Sequence, residues 1–131
     1  MRKGARVDPA NFLFLELQSY PQVEAIAVEG ASVGARARRS GYHVYILGDD
    51  QLSENDRTSV LSNYCVDLAT TRRHGVAEDE CTLDGGVALD IVYGSFDDAL
   101  RPRSLHEAPW NAFAASRVIY DPQGRLAAAT L

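Results

Sequence analysis

The sequence of 131 residues is poor in cysteine and proline, and it contains no long apolar run. A membrane-spanning helix needs about 18 or more consecutive apolar residues, so none is expected. Cys65 and Cys81 are the only cysteines and they form no CxxC motif, which excludes a disulfide framework. We expect a cytoplasmic protein with free thiols, and a redox pair between the two cysteines is the alternative.

The chain also lacks an excess of basic residues. Its 13 Lys and Arg face 18 Asp and Glu, a net charge of −5, which makes a nucleic-acid partner a poor expectation. Polar residues interrupt the apolar stretch near the N-terminus, and no cleavage site follows it, so we read no signal peptide and expect no membrane partner. With 46% apolar and 24% charged residues, residues 1–131 have the composition of a single globular domain.

Turn residues and apolar periodicity predict alternating helices and strands. A first helix starts at Pro9, capped by Asp8, and Pro21 stops it. The predicted strands cover 23–28, 42–47, 87–93 and 117–120, whereas 72–80 is a predicted loop. Further helices are predicted over 54–64, from 96 and from 110, with a turn at 121–124. The alternating order predicts an α/β or α+β fold with a mixed sheet and flanking helices.

Small residues follow the first predicted strand, at Gly30, Ala31 and Ser32. A turn of small residues after a strand lets backbone N–H groups approach a phosphate, and the N-terminus of a following helix adds a favourable dipole. The segment matches neither the P-loop nor the GxGxxG pattern. A plain strand-to-helix connection is therefore the alternative.

Two ionisable side chains that are candidates for a functional role lie in predicted strands. Asp90 interrupts an apolar strand, where a carboxylate must face water, pair with a cation or hold a metal. His43 shares one face of its strand with Tyr45 and is a candidate ligand or acid–base group. The alternatives are a solvated sheet face for Asp90 and a structural role for His43.

In this order the three features resemble the minimal nucleotidyltransferase family, part of the DNA polymerase beta-like superfamily. Its members have a strand, a Gly-Ser turn with a short helix, a strand with Ser-Asp-x-Asp and a later strand with a third carboxylate. Residues 23–28, Gly30 to Ser32, Ser40 to Tyr45 and the strand of Asp90 correspond to these pieces. The resemblance implies an NTP cofactor with Mg²⁺, contacts from Gly30, Ala31, Ser32 and Ser40, catalytic roles for Asp90 and His43, and metal binding by Asp90.

The sequence departs from the family where the metal ligands should be. Gly41 and His43 occupy the positions of the two aspartates, and the turn reads Gly-Ala-Ser, so either Ala31 replaces the motif serine or Ser32 serves after a one-residue shift. Mg²⁺ prefers oxygen ligands, which glycine lacks, and imidazole suits softer metals. Of three expected carboxylates only Asp90 is present.

Three functions remain open. The first is a degenerate nucleotidyltransferase-like protein that has lost catalysis and binds a nucleotide or a partner. The second is an active enzyme that moves a nucleoside monophosphate from Mg-NTP to a hydroxyl. His43, Asp90 and Glu29 would converge on a metal, or His43 would act as a base, and Arg36, Arg38 and Arg39 would steer phosphate. The third is an interaction or assembly domain. The first helix, Trp110 and Phe113 could serve its interface, although we favour their burial in the domain's own core. Because family members often continue into a helical segment, a helical partner protein or a second copy is an expected partner.

Overall fold

The computed structural model describes residues 9–33, 39–73, 76–101 and 110–129. Within these ranges it contains six strands, four α-helices and one 3₁₀ helix. The strands are β1 (Ala25–Val33), β2 (Arg39–Leu47), β3 (Cys65–Arg73), β4 (Val76–Leu83), β5 (Ala88–Gly94) and β6 (Arg117–Tyr120). The helices are α1 (Pro9–Gln18), α2 (Glu54–Ser62), α3 (Phe96–Ala99), α4 (Arg125–Ala129) and the 3₁₀ helix Trp110–Ala115.

The six described strands form one mixed sheet in the order β3-β4-β5-β2-β1-β6. Strands β2 and β5 are parallel, and every other neighbouring pair in this order is antiparallel. The expected α+β fold, with a mixed sheet and flanking helices, is confirmed. The parallel pair at the centre brings together two strands that lie more than forty residues apart in sequence.

One face of the sheet, here called the α1–α2 face, carries the larger core. Apolar side chains of α1 and α2 pack there against alternate residues of the strands, because successive strand residues point to opposite faces. The strand residues of this core are Ile26, Val28, Val44, Ile46, Ala77, Cys81, Leu83, Leu89, Ile91 and Tyr93. Of the described helices, none is long and apolar enough to cross a membrane.

The opposite face, here called the α3–α4 face, is covered by α3, α4 and the 3₁₀ helix. Tyr45 is 1% exposed and Val92 is 4% exposed beneath these short helices. Ala25, Ala27 and Leu47 complete the strand side of this second cluster. The helices therefore cover the end of the sheet where β2 and β5 finish, and the charged residues described below lie nearer the start of those strands.

The predicted turn at Gly30 to Ser32 is wrong, because these residues continue strand β1. Pairing with β2 runs without a break from Ala25 opposite Leu47 to Val33 opposite Arg39. Strands β1 and β2 are therefore antiparallel neighbours along their whole described length, and Gly30 to Ser32 belong to this pairing and not to a turn. A sequence rich in Ala, Ser and Val satisfies its backbone groups equally well in a two-stranded ladder.

The predicted loop over residues 72–80 is also wrong. Strands β3 and β4 pair antiparallel there, with Arg73 opposite Val76. In β4 the alternating Ala77, Asp79 and Cys81 are buried, while Glu78 and Glu80 are half-buried on the other face. The acidic residues Glu78, Asp79 and Glu80 lie on both faces of β4, so the polarity of the segment does not reveal the alternation.

Several local predictions are confirmed. Helix α2 begins after Ser53, whose hydroxyl accepts the Asp56 N–H at 3.1 Å, as the capping pattern predicted. The strand predicted over 87–93 is β5, and the short 3₁₀ helix begins at Trp110. Gly124 closes the predicted turn with φ 71° and donates its N–H to the Asp121 carbonyl. Asp8, the predicted cap of α1, lies outside the described residues.

Candidate functional site

A row of ionisable side chains crosses four neighbouring strands on the α3–α4 face. His43 of β2 lies directly opposite Glu29 of β1 on one side and Asp90 of β5 on the other. Glu80 of β4 lies opposite Asp90. Directly opposed residues place their side chains on the same face of a sheet, and we call these four residues the acidic row. Three carboxylates and one imidazole thus share a strip of the molecule.

His43 and Asp90, the predicted catalytic pair, contact one another inside this row. The His43 Nδ1 atom lies 3.9 Å from Asp90 Oδ2, and the two side chains are 33% and 24% exposed. The two groups therefore lie within ion-pair distance of one another at a partly exposed position, and they attract each other as an ion pair only when His43 carries a proton.

Tyr45 lies two residues after His43 on β2 and borders the acidic row on the side that the short helices cover. Burial, reinforced by the negative charge of Glu29, raises the pKa of the Tyr45 phenol to about 12. Its ring stacks on Trp110 at 5.8 Å between centroids and meets Phe113 edge-on at 5.2 Å. Trp110 and Phe113 thus pack within the domain, as we expected in preference to an interface role, and they hold Tyr45 in place beside the carboxylates.

Gly94 makes this aromatic packing possible. A Cβ atom on Gly94 would overlap the Trp110 indole, so the strand approaches the ring more closely than any side chain allows. Gly94 is the last residue of β5, the strand that carries Asp90. Sequence reasoning missed its role, since the close approach depends on Trp110, sixteen residues farther along the chain.

The predicted nucleotide-contacting residues do not form a cradle. Gly30, Ala31 and Ser32 lie within β1, and Ser32 is directly opposite Ser40 of β2. Successive N–H groups of a strand point to opposite edges, whereas a phosphate-binding turn aims consecutive N–H groups at one point. Gly30 lies opposite Tyr42, which packs on the α1–α2 face, away from His43 and Asp90. Contacts from these residues to a nucleotide remain a prediction.

The two positions that the resemblance assigns to aspartates, 41 and 43, lie on the same face as Asp90. His43 is opposite Asp90, and Gly41 is two residues before His43 on the same strand. Across the described ranges, no group of three or more His, Cys, Asp or Glu side chains is arranged to hold a metal ion. Of the arginines predicted to steer phosphate, Arg36 and Arg38 lie outside the described residues, and Arg39 is the first residue of β2, opposite Val33.

Glu80 is the member of the acidic row that sequence reasoning missed. Its segment was predicted as a loop, and a loop residue has no defined face. The alternating burial of Ala77, Asp79 and Cys81 places Glu80 on the other face, but the sequence carries only a weak signal of it because Asp79 is itself acidic. Glu29 was considered only as a further metal ligand, and the pairing of β1 with β2 brings it opposite His43.

A second polar cluster lies on the α1–α2 face and is buried. Asp79 accepts hydrogen bonds from Arg57 Nε at 3.1 Å, Arg57 Nη2 at 3.3 Å and the Tyr93 hydroxyl at 2.7 Å. Burial, and then the charge of Asp79, raises the pKa of the Tyr93 phenol well above its ordinary value. The Arg57 and Asp79 side chains are 6% and 0% exposed. This buried ion pair joins α2 to β4 and so fixes the helix on the sheet.

Comparison with known proteins adds no family. No protein-family model matches the chain, and no curated protein matches it at a significant level. The resemblance to the nucleotidyltransferases therefore rests on the sequence features alone. The acidic row supplies the physical basis for a functional proposal.

Proposed function

We propose that this chain is a non-catalytic binding domain, a degenerate relative of the minimal nucleotidyltransferases, whose acidic row binds a cationic partner. The observation that carries the proposal is the alignment of Glu29, Asp90 and Glu80 across adjacent strands, with His43 between them. The partner that suits such a row is a protein segment rich in lysine or arginine.

The charge of the row favours a cation over a free nucleotide. Neighbouring strands are about 4.8 Å apart, so the three carboxylates present their charge along a strip about 14 Å long. A phosphate about 5 Å from any one of them meets a repulsion of roughly 1–3 kcal/mol. A lysine or arginine at the same place gains an attraction of the same size, and His43 adds positive charge only when it is protonated.

Two observations support the degenerate relationship. Positions 41, 43 and 90 share one face of adjacent parallel strands, which is the arrangement that three metal-binding carboxylates would require. Glycine and histidine now stand at two of these positions. Replacement of carboxylates by glycine and histidine at these two positions would remove metal-dependent transfer and leave the acidic row in place.

A second candidate function is an active transferase with an altered site. The observation that favours it is Glu29, which lies directly opposite His43 and adds an oxygen ligand to the row. Transfer of labelled nucleotide to an acceptor hydroxyl, dependent on Mg²⁺ and lost in Asp90→Ala, would support this candidate.

Calorimetric titration separates these functions. The purified chain is titrated with a short peptide of alternating lysine and alanine, and separately with ATP, GTP, CTP and UTP, each with and without Mg²⁺. We expect binding of the peptide that weakens as salt is added, because the charges are partly exposed. Glu29→Gln and Asp90→Asn should each weaken it about fivefold, or roughly 1 kcal/mol.

Matched variants control for net charge. Glu54→Gln and Asp84→Asn remove the same charge from exposed positions outside the row, at the start of α2 and in the turn before β5, and should leave peptide affinity unchanged within about twofold. Equal losses in both pairs of variants would reduce the binding to a net-charge effect and contradict the proposed site. Mg²⁺-dependent nucleotide binding that is lost in Asp90→Asn would favour the transferase instead.

A further inference from the structure

The two cysteines lie together at the edge of the sheet. Cys65 begins the edge strand β3, and Cys81 lies in its only neighbour within the described sheet, β4. Cys81 is 4% exposed, whereas Cys65 is half-buried. Both are free thiols. One accessible thiol therefore lies beside one that solvent does not reach.

A β-bulge puts the two thiols on the same face. Cys65 pairs with Leu83, but the next registered pair is Asp67 with Thr82, so Val66 is an extra residue. Without the bulge, Cys65 and Leu68 would point to opposite faces, since they are three positions apart. With it, both pack against the core of the α1–α2 face, and Leu68 lies opposite Cys81. Cys65 becomes the diagonal neighbour of Cys81.

The two sulfur groups interact. A hydrogen bond from the Cys81 thiol lowers the pKa of Cys65, whereas that bond and burial raise the pKa of Cys81. Thiolate character and access decide which thiol reacts with an oxidant. Cys65 is the attacking thiol by both criteria.

We propose that Cys65 and Cys81 form a reversible intramolecular disulfide when the protein meets a hydroperoxide. The bond would join the start of the edge strand β3, where the bulge lies, to the end of β4. Diagonal strand neighbours have Cα atoms about 7–8 Å apart, slightly beyond the usual range for a disulfide. Strand β3 must therefore shift by about 1 Å, which its position at the edge of the sheet permits.

The reaction balances in two steps. The Cys65 thiolate attacks one peroxide oxygen, the O–O bond breaks and the alcohol or water leaves, so Cys65 becomes a sulfenic acid. The Cys81 sulfur then attacks the Cys65 sulfur, the S–O bond breaks, and the oxygen leaves as water with the proton of Cys81. Two thiols are oxidised and one hydroperoxide is reduced. A dithiol such as dithiothreitol reverses the change.

Mass spectrometry of the whole chain tests this proposal. The reduced protein is treated with hydrogen peroxide under native conditions, remaining thiols are alkylated, and the chain is digested with trypsin. Cleavage at Arg57, Arg72 and Arg73 places the two cysteines in different peptides, so a disulfide appears as one linked pair of peptides. We expect this pair in the monomeric protein, a fall from two alkylatable thiols to none, and full recovery with dithiothreitol.

Single substitutions assign the roles. In Cys81→Ser, Cys65 should give a sulfenic acid that dimedone traps, whereas in Cys65→Ser the buried Cys81 should remain an unmodified thiol. Peroxide-treated wild-type protein that keeps both thiols would overturn the proposal. A product in which Cys65 is over-oxidised or linked to a second chain, while Cys81 stays reduced, would overturn it as well.

Discussion

Arg57, Asp79 and Tyr93 form a cluster that depends on one buried carboxylate. Asp79 is buried and accepts all three hydrogen bonds of the cluster. The Arg57 guanidinium also lies 4.9 Å from the centre of the Tyr93 ring. A buried ion pair adds little net stability compared with a well-packed apolar replacement. Removal of one partner, however, leaves the other charge buried without a counter-charge.

Asp79→Ala is therefore expected to destabilise the protein by about 3–5 kcal/mol, because Arg57 is left charged and buried. Tyr93→Phe removes one hydrogen bond and should cost about 1–2 kcal/mol. Urea unfolding at pH 7 measures both. Asp84→Ala, at an exposed turn position, is the control and should cost less than about 0.5 kcal/mol. A loss as small for Asp79→Ala as for Asp84→Ala would contradict the buried cluster.

Tyr45 predicts how stability depends on alkaline pH. Its folded-state pKa of about 12 is above the value of 10.0 expected in the unfolded chain, so the folded protein keeps the proton longer. This contribution is complete below pH 10 and is lost as the pH rises from 10 to 12. Two pKa units correspond to about 2–3 kcal/mol.

The check is urea unfolding at pH 9 and pH 12 for the wild type and Tyr45→Phe. The wild type should lose about 2–3 kcal/mol more than the variant over this interval. The phenol of Tyr93 acts in the same direction in both proteins and cancels in the comparison. Equal losses in the two proteins would place Tyr45 in a solvated environment and refute the account of its burial.

The sequence predicted which residues belong to the site more reliably than it predicted which residues contact them. It placed His43 and Tyr45 on one strand face, which the structure confirms. It also selected His43 and Asp90, whose side chains lie 3.9 Å apart. It could not find Glu80 opposite Asp90, because that contact depends on β4 and on the register between distant strands.

At the level of elements, the glycines distinguish the observed strand pairing from the predicted turn. Gly30 has a Cβ position whose nearest neighbour is the Tyr42 ring at 3.8 Å, an ordinary contact, and it is not among the described glycines with positive φ. Gly94 has no such space, since a Cβ atom there overlaps Trp110. The two positions therefore predict opposite results for the same substitution.

Gly30→Ala should change stability by less than about 0.5 kcal/mol or raise it slightly, because alanine has less freedom in the unfolded chain. Gly94→Ala should cost about 1–3 kcal/mol by overpacking. Thermal and urea unfolding of the two variants measure the difference. A large loss of stability in Gly30→Ala would support the tight turn predicted from the sequence and contradict a continuous β1.

Elements were predictable where their local signals were strong. The cap at Ser53 and the aromatic, β-branched segment of β2 have such signals. Strands β3 and β4 do not, because β4 carries Glu78, Asp79 and Glu80 in sequence, and only pairing with β3 and β5 stabilises it as a strand. The extension of β1 through Gly30 likewise depends on its partner strand rather than on its own residues.

For the whole molecule, topology creates the proposed binding surface. Glu29, His43, Glu80 and Asp90 come from four strands, and only the order β4-β5-β2-β1 aligns them. The fold class follows from the presence of both helices and strands among the predicted elements, but the strand order does not follow, since local patterns carry no information on which strands are neighbours. The net charge of −5 agrees with a cationic partner but identifies no surface for it.

The most direct test of the acidic row is a nitrogen-15 heteronuclear NMR titration with the lysine–alanine peptide and, separately, with Mg-ATP. Amide shifts induced by the peptide should concentrate at Glu29, His43, Glu80 and Asp90, and those induced by Mg-ATP should be negligible there. Asp90→Asn should reduce the peptide-induced shifts, whereas Asp84→Asn should not. Peptide-induced shifts elsewhere in the sheet, or Mg-ATP-induced shifts at the acidic row, would contradict the proposed function.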